Sequence, residues 1–287
     1  MQALIWSVVI VLLVAAAFLA PGWRLSRALR RPLPDSFVAI LRRNIPIYAR
    51  MQAPLQDQLH QRVQQFLHQK KVVGCAGLEV DDEMRVTIAG QACLLLLNRP
   101  SRVYPGLDTV LLYPSAFLVP RKEMDDAGVI TETRQDLLGE SWGDGRVVLS
   151  WDHVRRGASD WTDGQNVVLH EFAHQLDSES GSNNGAPYLG SPARYRDWAA
   201  VLSRDFADLR TDAMYRQDSV LDHYGATSPA EFFAVATETF FEKPYQLAER
   251  HPALFTEFGK YYRVDPREWQ DAPAPEPLHH DGYGQWR

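Results

Sequence analysis

The sequence predicts an α+β fold, mostly helical with a small mixed sheet, preceded by one N-terminal transmembrane helix. Three observations carry that prediction. Apolar residues recur at spacings of three and four in several segments, the period of a helix with one buried face. Short runs rich in Val, Leu and aromatic residues, bounded by Gly, Pro and Ser, mark a few strands among them. Ala3 to Ala20 is an uncharged apolar run in which only Ser7 is clearly polar, just long enough to cross a hydrocarbon core as a helix. The 287-residue chain has room for one large domain or two small ones, and its 45% hydrophobic content supplies a substantial core.

The N-terminal run is read as an uncleaved anchor, with residues 1–23 as the membrane segment. No Lys or Arg precedes it, which disfavours a cleaved secretory signal, although Ala15, Ala16 and Ala17 offer small residues for cleavage. Arg24, Arg27, Arg30 and Arg31 follow it. Positive charge flanking a span prefers the cytoplasm, so the body of the protein is expected on the cytoplasmic side of the inner membrane. Secretion after signal cleavage is the alternative. Cys75 and Cys93 are too few for a disulfide framework or a four-sulfur metal site, and apolar neighbours point to buried free thiols in a reducing compartment. The net charge of −6 gives no support for nucleic-acid binding.

Residues 24–54 read as a basic juxtamembrane linker and a short helix interrupted by Pro46 and Pro54. Leu55, Leu59, Val63, Phe66 and Leu67 then form the apolar stripe of an amphipathic helix that Lys70, Lys71 and Gly74 close. His60 and His68 on this helix are expected at the solvated surface. Leu78 to Val80 suggests a short strand. Val86 to Leu97 suggests a buried helix, with a strand left possible by Val86, Thr87 and Ile88. Thr109 to Tyr113 and Phe117 to Val119 read as strands, and Gly145 to Trp151 as another that could border a cleft and pair with an extended peptide, or simply lie in the core. Asp160 to Asp163 supplies caps for the next helix. Ser178 to Gly185 is a loop, and Arg194 to Leu209 is helical by spacing. A domain over residues 55–270 is followed by a Pro-rich tail over 271–287, expected to be mobile.

The chemistry is concentrated in His170-Glu171-Phe172-Ala173-His174, inside an apolar, helix-compatible segment. One helical turn separates His170 from His174, so both imidazoles can converge on one metal ion. Glu171 is rotated by about 100° from His170 and can reach a water on that metal as a general base. This is the arrangement for zinc-assisted peptide hydrolysis. A catalytic zinc takes a third protein ligand. Asp177 lies on the same helical face, but would need unusual reach. Ser180 occupies the position a third histidine would take in one known pattern. The better source is the helix opened by Ser228 and Pro229, with Glu231 and Glu238 as candidates. Glu231 stands where a capping box with Ser228 would place it, and Glu238 lies seven residues on, on nearly the same face. Spacing does not separate the two. Tyr224, or His223 beside it, could donate a hydrogen bond to an oxyanion, or be a packed or surface residue in the loop before the helix.

These motifs, from His170 to Asp177 and from Tyr224-Gly225-Ala226-Thr227-Ser228-Pro229-Ala230-Glu231 to Val235, resemble the Mlc titration factor A family of bacterial zinc metallopeptidases. The likeness runs from about Leu55 to Pro266, through Val110 to Pro114, Ser141-Trp142 and the strand ending at Trp151. That family is similar in its catalytic domain to the anthrax lethal factor protease. The resemblance implies a zincin-like metallopeptidase domain, Zn2+ as cofactor, Glu231 rather than Glu238 as third ligand, and a transition-state role for Tyr224. It also implies a peptide or protein substrate, aminopeptidase-like cleavage, and a transcriptional repressor as partner of the soluble members. The N-terminal anchor departs from those members. The competing expectation is a regulatory binding protein with a non-catalytic metal site.

Overall fold

A computed structural model describes residues 2, 6, 25–27, 29, 31–115, 117–124, 130–137, 139–142 and 145–273, with the strands between 117 and 142 described through their backbone. Apart from Trp6, the apolar run expected to form the anchor lies outside these residues. Among the described residues no helix is long and apolar enough to cross a membrane.

The order is α1 (Asp35–Asn44), a 3-10 turn (Pro46–Arg50), α2 (Ala53–Gln69), β1 (Lys71–Gly74), α3 (Asp82–Leu94), β2 (Thr109–Tyr113), β3 (Phe117–Met124), β4 (Ile130–Leu137), β5 (Gly139–Trp142) and β6 (Arg146–Ser150). There follow α4 (Trp151–Ser159), α5 (Val167–Ser178), α6 (Pro192–Tyr215), a 3-10 turn (His223–Ala226), α7 (Pro229–Glu242), α8 (Pro244–Arg250), α9 (Pro252–Tyr262) and a last 3-10 turn (Pro266–Trp269). The fold is therefore a mostly helical α+β arrangement with a small mixed sheet.

The four-stranded sheet has the order β1-β2-β6-β5. β1, β2 and β6 are parallel, and β5 runs antiparallel to β6 at one edge. β3 and β4 form a separate antiparallel hairpin. β6 is hydrogen-bonded on both sides, so it is a core strand with no edge to offer a peptide. Val147 and Leu149 are almost fully buried accordingly. The strand expected near Leu78 lies earlier, at Lys71–Gly74, where the chain pairs with β2; residues 78–80 belong to no strand. Pairing with a neighbouring strand, invisible locally, decides this short segment.

α3 is helical, as Asp81 dictates: its side chain accepts the Met84 N–H at 2.8 Å and caps the first turn. The helix is buried on nearly every side. A Cβ on Gly90 would stand 2.5 Å from Leu41 and Ile45 side chains, so the missing side chain lets the end of α1 pack against α3. Leu33, Ile40, Leu41, Ile45, Ile47, Tyr48 and Met51 consequently join the main core. The segment expected as a juxtamembrane linker is, from Leu33 onward, part of the packed body. His60 is half-buried rather than solvated, 2.8 Å from the Tyr48 hydroxyl. Cys93 is buried and Cys75 partly so, both free.

Candidate metal centre

α5 begins at Asn166, whose Oδ1 accepts the N–H groups of Val168 and Leu169, each at 3.1 Å. The expected caps at Asp160 and Asp163 instead close local turns, accepting from Thr162 and Gln165. Asn166 also joins three helices. Its backbone N–H donates to Glu238 of α7, and its Nδ2 donates to Glu242 at 3.0 Å and to the Gly157 carbonyl of α4 at 3.3 Å. The start of α5 is thus bound to the face of α7 that carries the acidic residues. Sequence reasoning missed this residue, although an Asn directly before an apolar helical run is a capping signal.

One turn into α5, the Nε2 atoms of His170 and His174 lie 3.2 Å apart. A Glu231 carboxylate oxygen lies 3.0 Å from His170 Nε2 and 3.4 Å from His174 Nε2. Among the described residues these three form the group whose ligand atoms come together closely enough to hold a metal, all within 4.8 Å of one another. The donor set suits zinc: two imidazole nitrogens and one carboxylate oxygen. Two imidazoles meeting nitrogen to nitrogen can share only one proton between them, whereas a cation accepts both lone pairs.

Glu231 and Glu238 occupy opposite sides of the His170 ring. Glu231 meets Nε2, and Glu238 lies 2.7 Å from Nδ1. Seven residues of helix put both on one face, and the ring fits between them. Glu231 takes half of the expected capping box, its N–H donating to Ser228 Oγ at 3.2 Å, while its carboxylate faces the histidines. Burial pushes that carboxyl up, but hydrogen bonds from His170 and His174 and their charge overcome it and hold it at about 2. Desolvation works against protonating His170; the Glu238 charge, with hydrogen bonds to Glu231 and Glu238, prevails and raises it well above the usual range.

Glu171 is 4% exposed, and its Oε2 has no hydrogen-bond partner among the described residues. Burial pushes its carboxyl up to about 7, against the lowering charge of the two histidines. Asp177, which sequence offered as a possible ligand, is not one of the three converging residues. Its Oδ2 accepts the Gly185 N–H at 2.7 Å and ties down the loop after α5. Gly185 has φ of +77°, and a Cβ there would meet the Pro229 carbonyl oxygen at 2.3 Å. Asp177 therefore seats this loop against the first turn of α7, two residues before Glu231. Tyr224 is half-exposed, with its ring centroid 6.0 Å from that of His170. Asp222 caps its turn by accepting the Tyr224 N–H at 2.8 Å. His223 beside it is exposed.

The chain matches the model of the family described as glucose-regulated metallo-peptidase M90 over residues 21–263. It is 41% identical over 245 residues to an uncharacterized protein of Synechocystis sp., covering 85% of this chain and 89% of that one. It is 33% identical over 251 residues to the Mlc titration factor A proteins of Yersinia pestis and Yersinia pseudotuberculosis, covering 82% of this chain and 90% of theirs. A match of that extent, on a chain with this cluster of two histidines and a glutamate, identifies it as a member of the glucose-regulated metallo-peptidase M90 family.

Proposed function

We propose that this protein is a zinc-dependent peptidase with a zincin-like catalytic domain, in which His170, His174 and Glu231 hold the metal. The observation that carries this reading is the convergence of those three ligand atoms beside the buried Glu171, whose Oε2 has no hydrogen-bond partner among the described residues. Bound there, zinc supplies Lewis acidity toward water and toward a peptide carbonyl. Glu171 takes the proton of the attacking water and returns it to the leaving amine. The Tyr224 hydroxyl donates a hydrogen bond to the carbonyl oxygen as negative charge develops on it. Glu238 fixes the His170 ring by accepting its Nδ1–H, which leaves Nε2 free as a ligand. The substrate class is a peptide or protein, with aminopeptidase-like cleavage as the narrower form.

The test is zinc content and peptide turnover of purified protein, with and without a chelator. Glu171→Gln is expected to keep stoichiometric zinc and to lose hydrolysis by about 10²–10⁴-fold. His174→Ala and Glu231→Ala are expected to lose the metal. Full turnover in Glu171→Gln, or chelator-resistant turnover, rejects the mechanism. Aminoacyl substrates compared with blocked internal peptides separate exopeptidase from endopeptidase action.

The name of the Yersinia relatives, Mlc titration factor A, favours a second reading in which the chain sequesters a partner such as a transcriptional repressor. Repressor capture undiminished in Glu171→Gln and in metal-free protein would support that role beside or in place of catalysis. The apolar run 3–20 followed by Arg24 and Arg27 supports placement at the inner membrane with the catalytic domain cytoplasmic; protease accessibility in spheroplasts tests it.

A further inference from the structure

A cavity of about 360 Å³ lies where the 99–105 loop meets the 188–190 loop, the start of α6 and the end of α9. Neither the three candidate ligands nor Glu171 nor Tyr224 lines it. Its walls carry Arg99, Arg102, Arg194, Lys260 and Arg263, against the single carboxylate of Glu179. Lys260 is already paired with Glu257. Such a concentration of positive charge stands out on a chain of net charge −6.

Arg99 is the anchor of this cavity. Its side chain is buried, with the guanidinium 4.2 Å over the Tyr261 ring. Its Nη1 is buried without a hydrogen-bond partner among the described residues, and so is Nε of Arg194. The ring contact offsets part of the cost of burying the charge, but a buried N–H with no acceptor has given up its water without replacing that hydrogen bond. The loop that presents Arg99 is held in advance. Both terminal nitrogens of Arg62 donate to it, to the carbonyls of Ser101 at 2.7 Å and Arg99 at 2.8 Å. Asn98 Nδ2 donates to the Arg263 carbonyl at 3.0 Å and ties the loop to the end of α9.

We propose that this cavity binds a small phosphorylated molecule through its phosphomonoester group. A dianion with three terminal oxygens can engage several guanidinium groups of one cavity at once, better than a carboxylate does. A volume of about 360 Å³ in a half-open cleft suits a small molecule rather than a polymer. Glu179 Oε1, also buried and without a partner among the described residues, offers an acceptor for a hydroxyl of the same ligand.

Calorimetric titration of the full-length protein with glycerol 3-phosphate, inorganic phosphate, glycerol and acetate, at matched ionic strength, tests it. Saturable binding of glycerol 3-phosphate is expected, tighter than inorganic phosphate, with none for glycerol or acetate. Arg102→Ala combined with Arg194→Ala is expected to weaken that binding by about tenfold or more, from the loss of charge-assisted hydrogen bonds. These two residues are at least partly exposed, so the variant is expected to fold, and an unchanged melting temperature and zinc content verify this. Arg99→Met, which keeps the length of the side chain over Tyr261, is expected to abolish binding. No saturable binding of glycerol 3-phosphate overturns the proposal. So does equal binding of acetate and phosphate, or affinity unchanged in the double variant, either of which identifies an adventitious ion only.

Discussion

Glu238 Oε1 lies 2.7 Å from His170 Nδ1, on the side of the ring opposite Glu231, which lies 3.0 Å from Nε2. One imidazole is thus held between two carboxylates two turns apart on α7. The other Glu238 oxygen accepts the backbone N–H of Asn166, the cap of α5. A single carboxylate therefore fixes both the entry of the helix and the ring orientation of its first histidine.

This arrangement separates the two glutamates by experiment. Glu238→Gln is expected to lower zinc affinity by about 10–100-fold, as loss of a carboxylate behind a metal-binding histidine commonly does, while stoichiometric loading at saturating zinc persists. Glu231→Gln is expected to be the more severe change. Competition with a chromophoric chelator measures both. The opposite ranking would exchange the roles of the two residues.

Gly185 connects the loop after α5 to the start of α7. Gly185→Ala forces a Cβ to 2.3 Å from the Pro229 carbonyl oxygen at a φ of +77°. The expected cost is about 1–3 kcal/mol of stability, read as a lower urea midpoint with unchanged slope. Because Pro229 opens the helix that carries Glu231, zinc affinity should fall as well. A variant that loses stability with unaltered zinc affinity would show that the loop does not set the position of Glu231.

Asp205 provides a test of acid sensitivity remote from the metal centre. Its buried carboxylate lies 2.8 Å from His251 Nδ1 and 2.9 Å from Arg204. Burial pushes its carboxyl up, but the hydrogen bonds from His251 and Arg204 outweigh this and leave it below the ordinary value. A folded-state value below the unfolded one means that the ionised form stabilises the fold. The contribution is complete above the ordinary value of about 3.9 and is lost as pH falls through the depressed folded one. The stability difference between wild type and Asp205→Asn should therefore shrink as pH falls below about 4. A difference that grows in acid would contradict the sign.

The sequence by itself determined the features set by local periodicity. His170 and His174 face the same way because four residues make one helical turn. Ser228 and Pro229 mark the start of α7 through capping and fixed φ, and the strands at Thr109–Tyr113 and Arg146–Ser150 follow from short apolar runs. Tertiary structure alone decided the relations between distant segments. It paired Lys71–Gly74 with β2, enclosed β6 between two neighbours, and packed α1 against Gly90. It also placed Glu231 at one nitrogen of His170 and Glu238 at the other. Both glutamates lie on one face of the same helix, so periodicity treats them alike. Only the height at which α5 crosses α7, set by Asn166 and by the loop at Gly185, distinguishes the carboxylate facing the histidine pair from the one behind it.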